Sequence, residues 1–535
     1  MPLQHIKTLI IALATGAGAA LLAASPVAAS PIGTFTTKGA STFVSAPKLH
    51  PPKLRTLGPT NTKKLASGYF MVANFPNLTK TQPATGTAQP MVGQSGPLIL
   101  DSHLQPVWFY PVPTNVVAFG LKAQTYKGKP VLTWWQGVIS NVGATISGED
   151  VVVDQHYRTV ATLTGKDGWV LSGHEIVISG HDAWVTAYKN INNMDLTPYH
   201  GLPSGVLTDA AVQEYDLTNG KLLGTWDALH HIPLSQSQTA PAPVLVNGQA
   251  IPWDAYHVNS IQLLGPGKFL VSMRSDWAAY LVDINQANLD ASNIAWALGG
   301  KPFAGVQTFA FGPNASFQWQ HDVELHPGNV VSVFDDACCV FAQGKFQAPN
   351  GPSRALVLKL NMGNHTASLD AQYSRHPAVD AAFLGNTDLL PNGNVAVGWG
   401  SQPFFSEYSK SGKLLLDASW PGPDLSYRAF VQNWVGTPFF GPSGGVRKAH
   451  GKSTVYASWD GATQVAAWRV LAGPNGKHLT VVVASKAKSG FETAIPVKGS
   501  FKAYKLQALD ARGRVLRTSG TFPKPKAPST SPGFY

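Results

Sequence analysis

The chain has 535 residues, of which 44% are hydrophobic and only 13% charged, so it can build a large core and is long enough for two domains. Its 52 glycines, 40 prolines and 15 tryptophans are typical of short strands joined by tight turns rather than of long helices. The formal net charge of +11 suits anionic ligands or simply aids solubility, and no basic run interleaved with aromatic residues indicates nucleic-acid binding.

The first residues have the pattern of a secretory signal peptide. Lys7 gives a small positive start, residues 9–24 are uncharged and apolar, and Val27-Ala28-Ala29 offers small side chains for cleavage before Ser30. The alternative is a membrane anchor, but the stretch is short for a span and no positively charged stop-transfer cluster follows. We therefore expect residues 1–29 to be removed, the protein to be secreted or periplasmic, and no stable membrane span to remain.

Residues 30–65 are rich in Thr, Ser, Pro and Lys and predict an extended N-terminal arm. From Gly68 onward, short apolar runs alternate with Gly, Asn, Asp and Pro, as in a sandwich, barrel or propeller. One sequence motif recurs. It consists of a strand that ends near an acidic residue, a turn, and a second strand that contains a tryptophan. It ends at Trp226, Trp296 and Trp420. Repeats of about 40–50 residues are typical of four-stranded propeller blades, and residues 66–445 hold roughly six to eight of them.

Beyond Gly445 the pattern changes to alternating strands. This predicts a small antiparallel β-sandwich over residues 450–522, followed by a disordered tail at 523–535 that is rich in Pro, Ser and Lys. The predicted fold class is therefore all-β, a propeller with a small C-terminal sandwich. The only cysteines, Cys338 and Cys339, are adjacent, so they cannot join distant segments, and both a vicinal disulfide and two buried thiols stay open.

Two common catalytic motifs are missing from the sequence. It has no Gly-Lys-Ser phosphate loop and no His-Glu-x-x-His zinc motif. Residues 441–445 read Gly-Pro-Ser-Gly-Gly and match the nucleophile-elbow pattern by letters. No helical pattern follows them, so we interpret the segment as a turn between domains.

Histidines on strand-like segments form a more promising set. They are His174, His257 and His321, accompanied by Asn259 and Arg274. Residues two apart in a strand share one face, so His257 and Asn259 can point at the same ligand. Arg274 lies in the next strand pattern and can approach the same place. The set therefore predicts a polar site built from several strands.

Each of these residues also has a structural alternative. A single histidine is more often hydrogen-bonded than catalytic, and Arg274 could form a salt bridge with Asp254 or Asp276. We interpret Asp335 and Asp336 as turn formers. Three further side chains share a strand face and suggest a metal site, although a hydrogen-bonded face is favoured. They are Asp322, Glu324 and His326.

Several segments, in this order and spacing, resemble the arylsulfotransferase family, most closely the branch found in fungi and soil bacteria. The resemblance runs from about residue 47 to about residue 521 and is carried by residues 134–137, 231–235, 253–261, 274, 296–301, 320–322, 334–336, 392–403, 426–430 and 468–473. It implies a six-bladed β-propeller with the active site in its central channel.

The resemblance also implies a reaction. A sulfuryl group moves from a phenolic sulfate ester to a phenolic acceptor, without a sulfonucleotide and with no metal or cofactor needed in principle. A family histidine carries the group transiently, and by motif this is His321. His257 and Asn259 match the family's His-x-Asn pair, Arg274 its arginine, and His174 a further upstream histidine.

These residue types suit that reaction. In the transition state the sulfuryl group is nearly planar and carries negative charge on its oxygens, to which Arg274 and Asn259 can donate hydrogen bonds. A neutral imidazole at His321 is a good nucleophile, and His257 can exchange a proton with the phenol. Two alternatives stay open. One is a non-catalytic propeller that binds anionic or aromatic ligands at the cell surface, and the other is a hydrolase or lyase on the same scaffold.

Overall fold

A computed structural model describes residues 35–523, apart from residues 59, 78–89, 141–144, 247, 339, 343–344 and 348–350. The predicted signal peptide and nearly all of the predicted tail lie outside the described residues. Helices in the described part of the chain all fall short of the length and apolarity that a membrane span requires. They are α1 (Ala228–His231) and the 3-10 turns Thr197–Tyr199, Leu234–Gln236, Arg274–Asp276 and Leu289–Ala291.

Strands make up the rest of the regular structure. Those of the larger part are, in chain order, β1 (Phe35–Thr36), β2 (Arg55–Thr56), β3 (Tyr69–Pro76), β4 (Met91–Val92), β5 (Gly96–Leu100), β6 (Pro106–Phe109), β7 (Val117–Tyr126), β8 (Lys129–Ile139), β9 (Thr145–Asp154), β10 (Thr159–Thr164), β11 (Val170–Ser179), β12 (Asp182–Met194), β13 (Gly205–Asp216), β14 (Lys221–Asp227), β15 (Trp253–Asp254), β16 (Val258–Leu263), β17 (Lys268–Met273), β18 (Ala278–Asp283), β19 (Asn293–Gly299), β20 (Gln307–Phe311), β21 (His321–His326), β22 (Val330–Asp335), β23 (Val340–Ala342), β24 (Lys345–Gln347), β25 (Arg354–Asn361), β26 (Thr366–Tyr373), β27 (Asn386–Leu389), β28 (Val395–Gly398), β29 (Phe404–Tyr408), β30 (Leu414–Ser419) and β31 (Asp424–Gln432). The C-terminal strands are β32 (Ser443–Ala449), β33 (Lys452–Ser458), β34 (Ala467–Asn475), β35 (His478–Ala487), β36 (Glu492–Val497), β37 (Ala503–Leu509) and β38 (Val515–Thr518).

The larger part consists of four-stranded antiparallel units that follow one another along the chain. Their strand orders are β31-β3-β5-β6, β7-β8-β9-β10, β11-β12-β13-β14, β16-β17-β18-β19, β21-β22-β25-β26 and β27-β28-β29-β30. Strand β20 joins the fourth unit to the fifth, and β2 extends the sixth. The first strand of each unit contacts the first strand of the next, and β27 of the last unit contacts β31 of the first, so these six inner strands close a ring.

This arrangement confirms the predicted all-β, propeller-like fold, while a count of six blades stays a prediction that the strand order supports. The ring closes because β31, the last of its strands, pairs with β3, the first long one, over Tyr69–Pro76. Closure of this kind leaves no free sheet edge between the first and last units. It also places the end of the propeller segment at the centre of the molecule.

Tryptophans of the repeated motif lie in the core, as their pattern predicts. Trp226, Trp296 and Trp420 are all buried. Among the inner strands, β31 is covered on both faces, since every residue from Asp424 to Val431 is buried. A strand that is buried on both faces carries polar residues only where they have partners, because an unpaired buried polar group is costly. Polar residues on the inner strands are therefore candidates for the functional site.

The C-terminal part is formed by two sheets with strand orders β32-β33-β36 and β35-β34-β37-β38. They enclose a common core that includes Trp468 and Tyr504, as a sandwich requires. Strand β32 pairs along its whole length with β33, so the sandwich sheet begins at Ser443, before the predicted limit of residue 450. Ser443, Gly444 and Gly445 lie in β32, so the Gly-Pro-Ser-Gly-Gly segment is not the turn that we predicted, and it continues into a strand rather than into the helix that a nucleophile elbow requires.

Cys338 follows strand β22 of the fifth unit. Cys338 is buried and disulfide-bonded. Cys339, which is the only other cysteine of the chain, falls outside the described residues. Of the two states predicted for the pair, the buried free thiol therefore does not apply to Cys338.

Candidate active site

The inner strands bring the predicted site residues to one region of the ring. His174 lies on β11, His257 just before β16, Asn259 on β16, Arg274 directly after β17, and His321 at the start of β21. The ring centroid of His174 is 5.1 Å from that of His257 and 6.5 Å from that of His321. One ring nitrogen of each histidine lies within 4.8 Å of the others. We call this group the three-histidine cluster.

His321 is fully buried, and both of its ring nitrogens are hydrogen-bonded. Nδ1 lies 2.7 Å from Oδ2 of Asp336, and the main-chain nitrogen of Leu384 lies 3.1 Å from Nε2. A main-chain N–H can only donate, so Nε2 is the acceptor of that bond. The neutral ring then carries its proton on Nδ1 and donates it to Asp336. The neighbours of His321 thus fix one tautomer, with the lone pair on Nε2.

The other two histidines are also held by their Nδ1 atoms. Nδ1 of His257 bonds Oδ2 of Asp254 in a short contact, and Nδ1 of His174 lies 3.1 Å from the hydroxyl oxygen of Ser172. In all three rings Nδ1 is therefore hydrogen-bonded, and in His321 Nε2 also accepts from the N–H of Leu384. His257 has 28% of its side chain exposed, whereas His321 has none.

Arg274 and Asn259 border the cluster in different ways. The guanidinium of Arg274 stacks 4.9 Å from the ring centroid of Trp319, and its Nη2 donates to the main-chain oxygen of Ala382 at 2.9 Å. Asn259 is fully buried and donates one amide hydrogen to the main-chain oxygen of Gln320 at 2.6 Å. This bond links strand β16 to the start of β21. It leaves the second amide hydrogen of Asn259 for a ligand.

The salt bridge that we considered for Arg274 is not formed with either expected partner. Asp254 bonds His257 instead, and Asp276 accepts a hydrogen bond from the hydroxyl of Tyr280 at 3.1 Å. Arg274 is 94% buried yet has no carboxylate in direct contact among the described residues. A buried guanidinium without such a partner attracts an anionic ligand.

Electrostatics at the cluster favour neutral histidines. Burial, followed by the positive charge of Arg274 and the neighbouring His174 and His257, lowers the pKa of His321 well below its ordinary value. Burial, His257, Arg428 and Arg274 lower the pKa of His174 in the same way. Both rings are therefore unprotonated near neutral pH, and the local potential is positive.

Three imidazole nitrogens at this spacing could in principle hold a metal ion. Burial is the main cause of the lowered histidine pKa values, and the positive charges of Arg274 and Arg428, which add to it, also disfavour a divalent cation. An anion such as a sulfate ester is favoured by the same charges. The cluster is thus better suited to an anionic substrate than to a metal.

The other metal set considered from the sequence is a hydrogen-bonded strand face. Oδ1 of Asp322 lies 3.2 Å from Nη1 of Arg428, and Nε2 of His326 lies 2.8 Å from the hydroxyl of Ser332. Glu324 lies 4.0 Å from His326 at the nearest pair of atoms. Asp322 and His326 are therefore held by polar partners, as the favoured alternative predicts, although the left-handed backbone of Asp322 interrupts the alternation of faces.

Asp336 is the main residue that sequence reasoning assigned wrongly. It is not a turn former but a buried partner of His321. Asp335 does act in the turn, since its Oδ1 accepts from the main-chain N–H of Ala337 at 3.0 Å, and it also pairs with Arg354. Two adjacent aspartates at a strand end look alike in a sequence, and only the fold separates their partners.

Two tyrosines that the sequence reasoning did not select also surround the cluster. The ring of Tyr427 lies edge-on to His174 at 5.5 Å and to His321 at 6.1 Å. Tyr188 lies 6.0 Å from His257, and its hydroxyl donates to the main-chain oxygen of Val258 at 2.7 Å. Tyr427 could have been selected from the sequence, because residues 426–430 carry part of the family resemblance. No sequence motif that we used points to Tyr188.

Left-handed backbone conformations concentrate around the cluster. His257, Trp277, Trp319 and Asp322 have φ values of 54°, 54°, 57° and 56°. This region is disfavoured for residues other than glycine, above all for bulky ones, and such strain persists mainly where the surroundings impose it at functional sites. The strained residues lie in or beside the segments that carry His257, Arg274 and His321.

Comparisons with known proteins agree with the geometry in part. The arylsulfotransferase family profile matches residues 122–420. Among curated proteins, no sequence matches this chain. Similar solved structures include a Bacteroides caccae protein of unknown function (12% identity, 68% of this chain and 98% of that chain, TM-score 0.35) and the periplasmic gluconolactonase of Pseudomonas aeruginosa (10%, 68% and 99%, 0.34). TM-scores this low carry no inference about fold or function.

The fold and the site together define a propeller-like enzyme with a buried, histidine-rich, positively charged centre. The chain belongs to the arylsulfotransferase family, because the family profile covers more than half of its length. It is an aryl-sulfate sulfotransferase, which transfers a sulfuryl group from an aryl sulfate donor to a phenolic acceptor.

Proposed function

We propose that the three-histidine cluster is the active site and that His321 is the nucleophile. The observation that carries the proposal is the pair of bonds that fixes its tautomer, Nδ1 to Asp336 and Nε2 to Leu384. In the first half-reaction the Nε2 lone pair forms a bond to sulfur, and the bond from sulfur to the aryl oxygen breaks. The ring becomes a positively charged sulfoimidazolium. Burial raises the pKa of Asp336 well above its ordinary value, and the positive charge that develops on the ring favours the ionised carboxylate, which in turn stabilises the sulfoimidazolium.

The remaining residues take roles that fit their positions. His257, which is partly exposed, gives a proton to the departing phenolate and later removes one from the incoming phenol, which then attacks sulfur and returns the lone pair to His321. Arg274 offers its unpaired charge to the sulfuryl oxygens, with the second amide hydrogen of Asn259 beside it. His174 lies between the other two rings and completes the wall of the site.

The bond from Leu384 to Nε2 has a mechanistic consequence. The N–H of Leu384 occupies the lone pair that must attack sulfur, so this bond has to break when the donor binds. Leu384 has a left-handed backbone with φ of 70° and precedes a glycine, Gly385, with φ of 114°. A released N–H at this position can then donate to a sulfuryl oxygen instead.

A burst experiment with purified protein tests this function. Nitrophenyl sulfate alone should release about one equivalent of nitrophenol per site and leave one SO₃ group on the peptide that contains His321. Adding a phenol should start continuous release, with no effect of a chelator. Continuous release without an acceptor indicates a hydrolase, loss of release with the chelator indicates a metal enzyme, and binding without release indicates a non-catalytic propeller.

We also propose that the protein is exported. The support is the charged, apolar and small-residue order of residues 1–29 described above. The mature chain should then begin at Ser30 when it is produced by a secreting host, and N-terminal sequencing of the protein from the medium or periplasm measures this directly. A protein that stays inside the cell and keeps Met1 contradicts the proposal.

A further inference from the structure

The segment 426–430 carries part of the family resemblance, yet the mechanism above gives it no chemical role. Its central residue, Arg428, lies on the inner strand β31 and has 2% of its side chain exposed. Burial of a guanidinium costs solvation unless every donor finds a partner. The hydrogen-bond acceptors of the Arg428 guanidinium therefore identify the segments that this side chain holds in place.

Arg428 reaches the three inner strands that carry the proposed site residues. Its Nη1 lies 2.6 Å from Oε2 of Glu175 and 3.2 Å from Oδ1 of Asp322, and its Nη2 donates to the main-chain oxygen of Asn259 at 2.9 Å. Glu175 directly follows His174 on β11, and Asp322 directly follows His321 on β21. One side chain thus contacts the strand of each proposed site residue except the turn that carries Arg274.

The charges of this group balance inside the protein. Glu175 also forms a short ion pair with Lys122, so two cations face two carboxylates. Burial tends to raise the pKa of Glu175, but Arg428 and Lys122 outweigh it and leave that pKa below its ordinary value. The carboxylate is therefore ionised, and the contact with Arg428 is a true ion pair.

We propose that Arg428 is a positioning residue for the sulfuryl transfer, which clamps β11, β16 and β21 to β31 and so sets the spacing of His174, His257 and His321. Its effect on turnover rests on the function proposed above. Arg428 does not contact the cluster directly, because its guanidinium lies behind the residues that follow His174 and His321. If one of these strands shifts, the imidazoles that act on the same sulfuryl group move apart. A misplacement of about 1 Å can lower the rate by about 100-fold.

The test compares Arg428→Met and Arg428→Lys with a matched control. Arg375 is also a buried arginine, with its Nη2 2.8 Å from Oδ2 of Asp417, but it lies outside the inner strands. Arg428→Met should lower kcat by about 100-fold with little change in KM, and Arg428→Lys should recover about 10-fold of that loss. Arg375→Met should lower the melting temperature by a similar amount and leave kcat unchanged.

The pH profile adds a measurement that a purely structural role would not move. In the wild type, activity should fall only well below pH 6.5, where His321 becomes protonated, because burial above all, then Arg274, the neighbouring rings and Arg428, hold down the pKa of His321. Loss of the positive charge in Arg428→Met raises that pKa, so activity should fall at a higher pH. Arg428→Lys keeps the positive charge, so its activity should fall at the same acidic pH as that of the wild type.

The outcomes separate this inference from the proposed function. If His321→Ala is inactive while folded Arg428→Met matches the wild type in kcat and in the pH at which activity falls, the positioning role is wrong and the nucleophile stands. If His321→Ala is fully active, the proposed function itself is wrong. Should Arg428→Met not fold, Arg428→Lys decides: a kcat about 10-fold below wild type supports the clamp, and an unchanged kcat overturns it.

Discussion

Replacing His321 with asparagine is expected to lower kcat by about 10⁴- to 10⁶-fold, the loss typical when a covalent nucleophile is removed. An amide nitrogen has no lone pair comparable to that of Nε2, so no bond to sulfur can form. The side chain is smaller but can still accept from the N–H of Leu384, which should preserve the fold. Steady-state release of nitrophenol, with the melting temperature recorded beside it, measures the effect.

A control on the same strand separates chemistry from damage to β21. His326 bonds Ser332 and lies outside the three-histidine cluster, so His326→Asn should keep kcat within about 3-fold of the wild type, as for most substitutions away from the reacting atoms. Mass spectrometry should find the SO₃ adduct in His326→Asn and not in His321→Asn. An adduct on another residue of His321→Asn would show that the nucleophile has been misassigned.

Asp336→Asn is expected to lower kcat by about 10²- to 10⁴-fold while substrate binding changes little. The asparagine lacks the charge that stabilises the sulfoimidazolium. If its amide nitrogen faces Nδ1, the imidazole must also move its proton to Nε2, where it meets the N–H of Leu384. Either orientation removes the feature that makes His321 a nucleophile, so the loss should appear in kcat rather than in KM.

The neighbouring aspartate supplies the comparison for this substitution. Asp335→Asn weakens a buried pair with Arg354, and it should reduce thermal stability and leave kcat near that of the wild type. An Asp336→Asn protein with normal kcat, or an Asp335→Asn protein that is folded but inactive, would contradict the roles that we give to the two residues. Both variants keep the size of the side chain, so packing differences do not confuse the result.

The sequence predicts the all-β class and the residues of the cluster well, because both depend on local signals. Strand periodicity and turn residues indicate the propeller, and the His-x-Asn motif selects His257 and Asn259, although His257 lies before β16 with a left-handed backbone rather than in an extended strand. The same periodicity fails at Asp322, whose left-handed backbone interrupts the alternation of faces on which we relied. A strained conformation is imposed by surrounding contacts, and these are not visible in the local sequence.

The partners of the cluster could not be predicted for a different reason. Asp336 meets His321 across a strand turn, and Arg428 meets Glu175 over a separation of 253 residues. Such pairs depend on which strands become neighbours in the closed ring. The alternation of polar and apolar residues along a strand does not indicate which strands these are. Burial was equally hidden, since an Asp or Arg in a polar-looking segment gives no sign that it is covered on all sides.

The pairing of β31 with β3 has a consequence for biosynthesis. All five of the predicted site residues are translated by residue 321, yet the strand that touches three of their segments is made only at residues 424–432. A nascent chain therefore carries its histidines for a further hundred or so residues before the ring can close around them. Activity should appear in one step at the end of synthesis, so that a prematurely terminated chain does not display a reactive imidazole.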